Sequence, residues 1–222
     1  MGYFAYYFAW IALTFVLRYP PLAVGLVVLF LLRQFIPDPF VLFRTMGRTR
    51  ALARQIEANP SNVTARRDLA MVYIDRLRPG RALALLEEAR KRFPDDAELL
   101  YLSGLAHAKR GDSAEAVPLL VRAVQLDPRV RFGEPYLVAG DALRKLGRTE
   151  DALDAFERFV GLRSSSVEGH VKLALTHRAL RDEAAARAAL DEAIRTFAVV
   201  PGYQKRAQFG WWLRAQVARW LV

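Results

Sequence analysis

The sequence predicts an all-α solenoid of paired helices attached to an amino-terminal membrane segment. A helix-turn-helix pattern recurs with a period close to 34 residues between residues 63 and 200, which is typical of stacked helical repeats. The first 32 residues contain one charged residue, Arg18, which is typical of a membrane segment. The last 20 residues combine apolar residues at helical spacing with basic residues and no acidic one, which indicates a final amphipathic helix.

Each repeat has small residues where its two helices must approach each other. Offsets of 34, 36 and 34 residues bring these positions into register. Small residues allow close packing, bulky residues fill the remaining space, and a proline ends the second helix. The recurring positions are Ala70, Gly104, Gly140 and Ala174 in the first helix, Ala82, Ala116, Ala152 and Ala186 in the second, the bulky Tyr73, Leu86, Leu120, Phe156 and Leu190, and the closing Pro94 and Pro128.

This pattern resembles the tetratricopeptide repeat (TPR) family, whose motif is W-x2-L-G-x2-Y…A-x3-F…P. The resemblance implies a superhelix that binds proteins along its concave side. The sequence departs from the motif at Ser164, where proline is usual, and at Pro201, which lies three residues late. The predicted units are repeats 63–96, 97–130, 133–166 and 167–200, a junction with an amino-terminal capping helix at 37–62, and a basic amphipathic capping helix at 201–222.

The predicted membrane segment, residues 1–36, has two apolar halves separated by the turn at residues 18–21. Each half has about 16 residues and spans about 24 Å as a helix, less than the ~30 Å of a bilayer core. The sequence leaves three arrangements open: a helical hairpin, an interfacial aromatic half followed by one crossing helix, and one kinked span. The side chains expected to contact lipid are Tyr3, Phe8, Trp10, Phe15, Leu22, Leu26, Phe30 and Leu32.

Basic residues cluster directly after the membrane segment. The positive-inside tendency therefore predicts that the repeats face the cytoplasm. The layout is similar to that of bacterial inner-membrane TPR proteins that control envelope biogenesis, which implies the same location. The clustered residues are Arg33, Arg44, Arg48, Arg50 and Arg54, against Arg18 alone in the turn.

The TPR resemblance implies which residues face the groove, because four positions of the first helix commonly do so in the family. These residues are apolar in the middle of the groove, with arginines available to an acidic group, so the expected ligand is an amphipathic helix or an extended segment. Alternatively, the apolar residues pack on neighbouring helices or on the final helix folded into the groove. The predicted partner-binding residues are Arg67, Met71, Tyr101, Leu105, Leu137, Asp141, Arg144, Val171, Leu175 and Arg178.

Residues 203–222 are predicted to form one long helix. Phe209, Leu213, Val217 and Leu221 lie four residues apart and form a stripe that is expected to cover the fourth repeat. Alternatively, the basic residues and tryptophans of this helix fit a membrane surface or a second protein. Trp211 lies away from the stripe and would report such a contact.

The sequence predicts no enzyme, no cofactor and no metal site. The chain contains no cysteine, and its three histidines, His107, His170 and His177, occupy expected core positions of the repeats. No phosphate-binding loop, nucleophile elbow or zinc-protease motif is present. The net charge is +10, but no nucleic-acid-binding module accompanies it, so nucleic acid is not an expected partner.

These features together predict a membrane-anchored TPR scaffold or adaptor that binds protein partners and serves the assembly or regulation of a membrane or envelope complex. Two alternatives remain open. In the first alternative, the chain is a permanent structural subunit of a large membrane complex with no free groove. In the second alternative, the repeats face the periplasm and serve envelope or secretion assembly.

Overall fold

The computed structural model describes residue 18 and residues 39–220, with side chains from residue 45 onward. The predicted membrane segment, apart from Arg18, lies outside the described residues, as does Leu221 of the predicted stripe. Within residues 39–220, no helix has both the length and the apolar character needed to cross a membrane.

Residues 39–220 fold into ten α-helices and one short 3-10 turn, with no strand among them. Helix α1 precedes the repeats, four helix pairs follow, and α10 closes the array. The elements are α1 Pro39–Ala58, α2 Val63–Asp75, α3 Pro79–Arg92, α4 Ala97–Arg110, α5 Ser113–Leu126, the 3-10 turn Val130–Gly133, α6 Glu134–Lys145, α7 Thr149–Leu162, α8 Val167–Ala179, α9 Glu183–Val199 and α10 Gly202–Trp220.

Short polar residues start the first helix of three repeats. The side chains of Asn62, Asp96 and Ser166 each accept a hydrogen bond from the backbone N–H three residues later. Such capping satisfies one of the N–H groups that the first turn leaves without a partner. The turns between repeats are therefore determined locally by sequence.

In repeats 2 and 3 the two helices pack so closely that a glycine is necessary at the contact. A Cβ atom on Gly104 would lie 2.6 Å from Leu120 Cγ, and one on Gly140 would lie 2.5 Å from Phe156 Cε1. Neither distance leaves room for a methyl group, so the bulky side chain of the second helix occupies the space beside each glycine. The predicted all-helical solenoid of closely packed pairs is confirmed.

The core is divided into three clusters along the array. The largest runs through repeats 1 to 3, and a second joins repeat 4 to α10. A third joins α1 to repeat 1, where Leu52 packs on Ala65, Leu69 and Val72. Helices α1 and α10 therefore cover the two ends of the array.

The extra two residues between repeats 2 and 3 form a strained turn. Arg131 and Phe132 have φ of 51° and 55°, in the left-handed region that side chains with a Cβ rarely adopt. Phe132 is 79% exposed. The turn lengthens the spacing from 34 to 36 residues and still allows α6 to stack on α4.

The outer face of α10 differs from the prediction. Its buried residues are Ala215 and Ala218, while Phe209, Leu213 and Val217 are about half exposed. The prediction that the stripe covers repeat 4 is therefore wrong for Leu213 and Val217, whereas the Phe209 ring lies 6.4 Å from the Phe197 ring of α9. Close packing of α10 on α8 and α9 places Ala215 and Ala218 at the contact, with half-buried Trp211 and Trp212 beside them, while Leu213 and Val217 lie on the opposite side.

Candidate partner-binding groove

The first helices of successive repeats lie side by side and form one wall. Helix α2 packs on α4, and α4 packs on α6, in addition to the contacts within each pair. Stacked helical repeats curve so that the first helices line the concave side. We call this wall, formed by α2, α4, α6 and α8, the groove.

Charged side chains in the groove form ion pairs across repeat boundaries. Arg67 Nη1 donates to Glu98 Oε2 at 2.6 Å, which links repeats 1 and 2. The guanidinium of Arg131 lies 3.6 Å from the other Glu98 oxygen and 3.9 Å from Glu134. The strained turn therefore places a cation between two glutamates of neighbouring repeats.

A buried phenol links repeats 2 and 3. The Tyr101 hydroxyl donates to Glu134 Oε2 at 2.8 Å. Burial raises the pKa of the Tyr101 phenol, and the nearby Glu134 carboxylate raises it further. The phenol therefore remains a hydrogen-bond donor at neutral pH.

A buried lysine links repeats 3 and 4. Lys172 is 8% exposed. Its Nζ lies 2.6 Å from Asp141 Oδ2 and 2.7 Å from Glu168 Oε1. The same nitrogen lies 5.4 Å from the centre of the Trp211 ring, which belongs to α10. The ion pairs thus extend along the groove and reach the final helix.

The predicted apolar contact residues lie in the groove with part of each side chain exposed. Each packs its inner atoms on a core cluster and leaves outer atoms accessible. This arrangement suits shallow apolar contacts with a bound segment. The residues are Met71, Leu105, Leu137 and Leu175.

The predicted charged residues fall into two groups. Arg67 is paired with Glu98, and Asp141 with Lys172. Arg144 and Arg178 are exposed and form no ion pair with any residue in the part of the chain that the structure describes. The cations that remain open to an acidic partner are therefore at the carboxyl ends of α6 and α8.

Two predicted contact residues are buried. Val171 is 0% exposed and packs in the cluster that joins repeat 4 to α10, so its assignment to the binding surface is wrong. The docking of α10 is the reason, because this helix covers the end of α8. Tyr101 is 3% exposed but lines a cavity in the groove.

That cavity, of about 570 Å³, opens between the groove and α10. One side is formed by Tyr101, Leu137 and Arg163, and the other by residues of α10. Helix α10 is held there by Gln208, whose side-chain oxygen accepts a 2.7 Å hydrogen bond from the backbone N–H of Val167 at the start of α8. The residues contributed by α10 are Tyr203, Gln204, Ala207, Gln208 and Trp211.

Several groove residues were not predicted from the sequence. Arg131 and Arg163 lie in turns, outside the helix positions that the resemblance assigns to the groove. The two-residue insertion was visible as the offset of 36, but an offset does not show which way Arg131 points. Residues of α10 have no repeat position at all, so no internal comparison identified them.

The histidines have local partners rather than a shared site. His170 Nε2 lies 2.9 Å from the carbonyl oxygen of Ser164, and His177 Nδ1 lies 3.8 Å from Asp182. In the described part of the chain, no three metal-binding side chains are close enough together to hold an ion.

Comparison with known proteins agrees with this geometry. The tetratricopeptide repeat family model matches residues 67–130 and 137–201, which is more than half of the chain. The chain belongs to the tetratricopeptide repeat family. The gap between the two matched stretches contains the strained turn at Arg131 and Phe132. TPR arrays are protein-interaction scaffolds, and this chain is one of them.

Solved TPR structures share the fold. MamA superposes with a TM-score of 0.63 at 21% identity, covering 74% of this chain and 94% of MamA. YrrB, described as a TPR protein with an unusual peptide-binding site, superposes with a TM-score of 0.58 at 24% identity, covering 73% of this chain and 84% of YrrB. Among curated proteins, none matches the sequence.

Proposed function

We propose that this TPR scaffold is held in the bacterial inner membrane by residues 1–36 and binds a segment of a partner protein in its groove on the cytoplasmic side. The observation that carries the proposal is the cavity of about 570 Å³ between the groove and α10. It offers apolar surface and backbone-sized space at the point where the first helices of repeats 3 and 4 meet the final helix. In this proposal the scaffold serves the assembly or regulation of a membrane or envelope complex.

The chemistry of the groove supports a partner segment with apolar and acidic residues. The groove acids Glu98, Glu134 and Glu168 are already paired with cations of this chain. The charges left open are the guanidinium groups of Arg144 and Arg178. A segment that places an apolar side chain near Leu137 and acidic side chains two helical turns away satisfies both features, because Arg144 follows Leu137 by seven residues on the same face.

Membrane attachment supports a binding role through confinement. The apolar composition of residues 1–36 and the arginines that follow support an anchor with the array on the cytoplasmic side. A partner in the same membrane then meets the groove at a raised effective concentration, so modest affinity is sufficient.

Photo-crosslinking in cells tests the groove. A photoreactive residue replaces Leu137 in the full chain, and a matched control replaces Val121, an exposed apolar residue on α5. We expect a discrete protein adduct from position 137 and none from position 121. Arg144→Glu with Arg178→Glu should lower the adduct yield, whereas Lys109→Glu with Lys145→Glu, which changes the same charge elsewhere, should not.

The outcomes separate the alternatives. No adduct at position 137, or equal adducts from both positions, would contradict a partner-binding groove. A stoichiometric complex that survives high salt in mild detergent would favour the permanent subunit. Protease accessibility in spheroplasts decides the side of the membrane, since digestion of the repeats from outside would place them in the periplasm.

A further inference from the structure

Helix α10 carries a second apolar face whose large side chains are at least half exposed. Phe209, Leu213 and Val217 are 52%, 50% and 55% exposed, and Trp220 is 90% exposed. The first three lie four residues apart and Trp220 follows three residues later, so all four share one side of the helix. We call these four residues the outer stripe.

Helix α10 attaches to the array mainly through the face opposite the outer stripe, although the Phe209 ring lies 6.4 Å from the Phe197 ring of α9. The opposite face makes that attachment with buried Ala215 and Ala218 and with half-buried Trp211 and Trp212. Gln208 adds the hydrogen bond to the start of α8. The helix is therefore docked through one face and presents large apolar side chains on the other.

The charge of α10 is entirely positive. Between Gly202 and Trp220 it has Lys205, Arg206, Arg214 and Arg219 and no acidic residue. Arg219 is partly neutralised by Asp191 of α9, at 2.8 Å. Arg206 is exposed, lies on the same side as the outer stripe, and has no ion-pair partner among the described residues.

We propose that the outer stripe docks on an anionic lipid surface. A helix that places phenylalanine, leucine, valine and tryptophan on one face with arginine and lysine beside them matches the interfacial helices that bind such surfaces. Arginine and lysine stems extend along apolar surface while their charged ends reach head groups, so Arg206 within the stripe is compatible with lipid and unfavourable in a dry protein contact. The inference depends on the proposed membrane anchor, which keeps α10 close to the bilayer.

The consequence is a two-point attachment. The anchor holds the amino-terminal end of the array, and the outer stripe holds the carboxy-terminal end. The solenoid then lies along the membrane, and the cavity between the groove and α10 opens close to the bilayer surface.

The absence of cysteine in the chain makes a direct test available. The full-length chain with Val217→Cys carries an environment-sensitive fluorophore in nanodiscs of neutral lipid or of neutral and anionic lipid mixed. We expect a blue shift of the emission and quenching by nitroxide lipid in anionic discs, both reduced by salt. The control label at Val121→Cys, on α5, should show neither effect.

Two charge-introducing variants make the test specific. Leu213→Glu with Trp220→Glu should remove the quenching at position 217, whereas Leu162→Glu, at an exposed apolar residue of α7, should leave it unchanged. Circular dichroism should show the same helicity in all variants, because the substituted side chains are exposed.

Each remaining outcome counts against the proposal. Co-elution with discs but no quenching at position 217 would contradict lipid docking by the outer stripe, while it would still agree with the membrane anchor. A blue shift without lipid, accompanied by chain-to-chain crosslinks at position 217, assigns the stripe to a second copy. If the full chain enters neither neutral nor anionic discs, both the proposed membrane anchor and the proposed lipid contact of the outer stripe are contradicted.

Discussion

The ammonium group of Lys172 lies 2.6 Å from a carboxylate oxygen of Asp141, and this contact joins the first helices of repeats 3 and 4. The Trp211 ring of α10 lies on the same ammonium group at 5.4 Å. One nearly buried cation therefore connects two repeats and the final helix, and its loss affects all three.

Lys172→Met should destabilise the array, because it leaves Asp141 and Glu168 close together without their cation. The expected loss is about 1–3 kcal/mol in the free energy of unfolding, because the two carboxylates stay partly buried and lose the cation that paired with them. Thermal unfolding followed by circular dichroism measures it. Arg195→Met is the control: its pair with Glu192 is exposed, so the change should be below about 0.5 kcal/mol. Equal effects of the two variants would contradict a special role for Lys172.

Gly140→Ala tests the close approach within repeat 3. The new methyl group would lie 2.5 Å from Phe156 Cε1, so the two helices must separate. Overpacking of this kind costs about 1–3 kcal/mol. Gly161→Ala in α7 has no atom within 4 Å of the added Cβ, and there the better helix propensity of alanine should raise the midpoint temperature. A neutral Gly140→Ala variant would show that the helices are less closely packed than described.

Phe132→Gly tests the strain in the turn between repeats 2 and 3. Glycine adopts a φ of 55° without the steric penalty that phenylalanine suffers, and Phe132 buries little surface. We expect a gain of about 1 kcal/mol in thermal stability. Phe93→Gly, at a φ of −130° with a half-exposed side chain, should lose stability instead. If Phe132→Gly also lost stability, Phe132 would have a packing role that outweighs the strain.

Tyr101→Phe should have a pH-dependent effect. At neutral pH the variant lacks the hydrogen bond to Glu134 and loses about 1 kcal/mol. The folded-state pKa of Tyr101 is raised, so above about pH 10 the unfolded phenol ionises while the folded one does not. The wild-type advantage should therefore shrink as the pH rises above this value. Unfolding curves at neutral and alkaline pH measure the difference, and a constant difference would contradict the raised pKa.

The local elements of the fold follow from the sequence because their causes are local. Recurrent alanine, glycine and proline positions identify the helix pairs, and Gly104 and Gly140 are glycines because the facing Leu120 and Phe156 leave no room for a Cβ. The half-buried positions of Leu105 and Leu137 in the groove follow from the repeat register in the same way.

The site was less predictable because its composition depends on contacts between distant segments. The register places Val171 in the groove, but α10 covers it. Arg131 enters the groove only because a left-handed turn directs it there. Tyr203, Gln208 and Trp211 line the cavity because α10 folds back beside α8. This contact could not be predicted from the repeat pattern, because α10 lies outside the repeats.

The sequence by itself determined the helical pairs, their order and the family, because small residues that recur at a fixed period mark the places where two helices pack closely. The tertiary structure decided which face of α10 is buried, which cation lies between which carboxylates, and where the groove opens into a cavity. The physical reason is that closely packed helices favour small side chains at the centre of their contact. Ala215 and Ala218 therefore lie against the array with half-buried Trp211 and Trp212 beside them, while Leu213, Val217 and Trp220 remain on its surface.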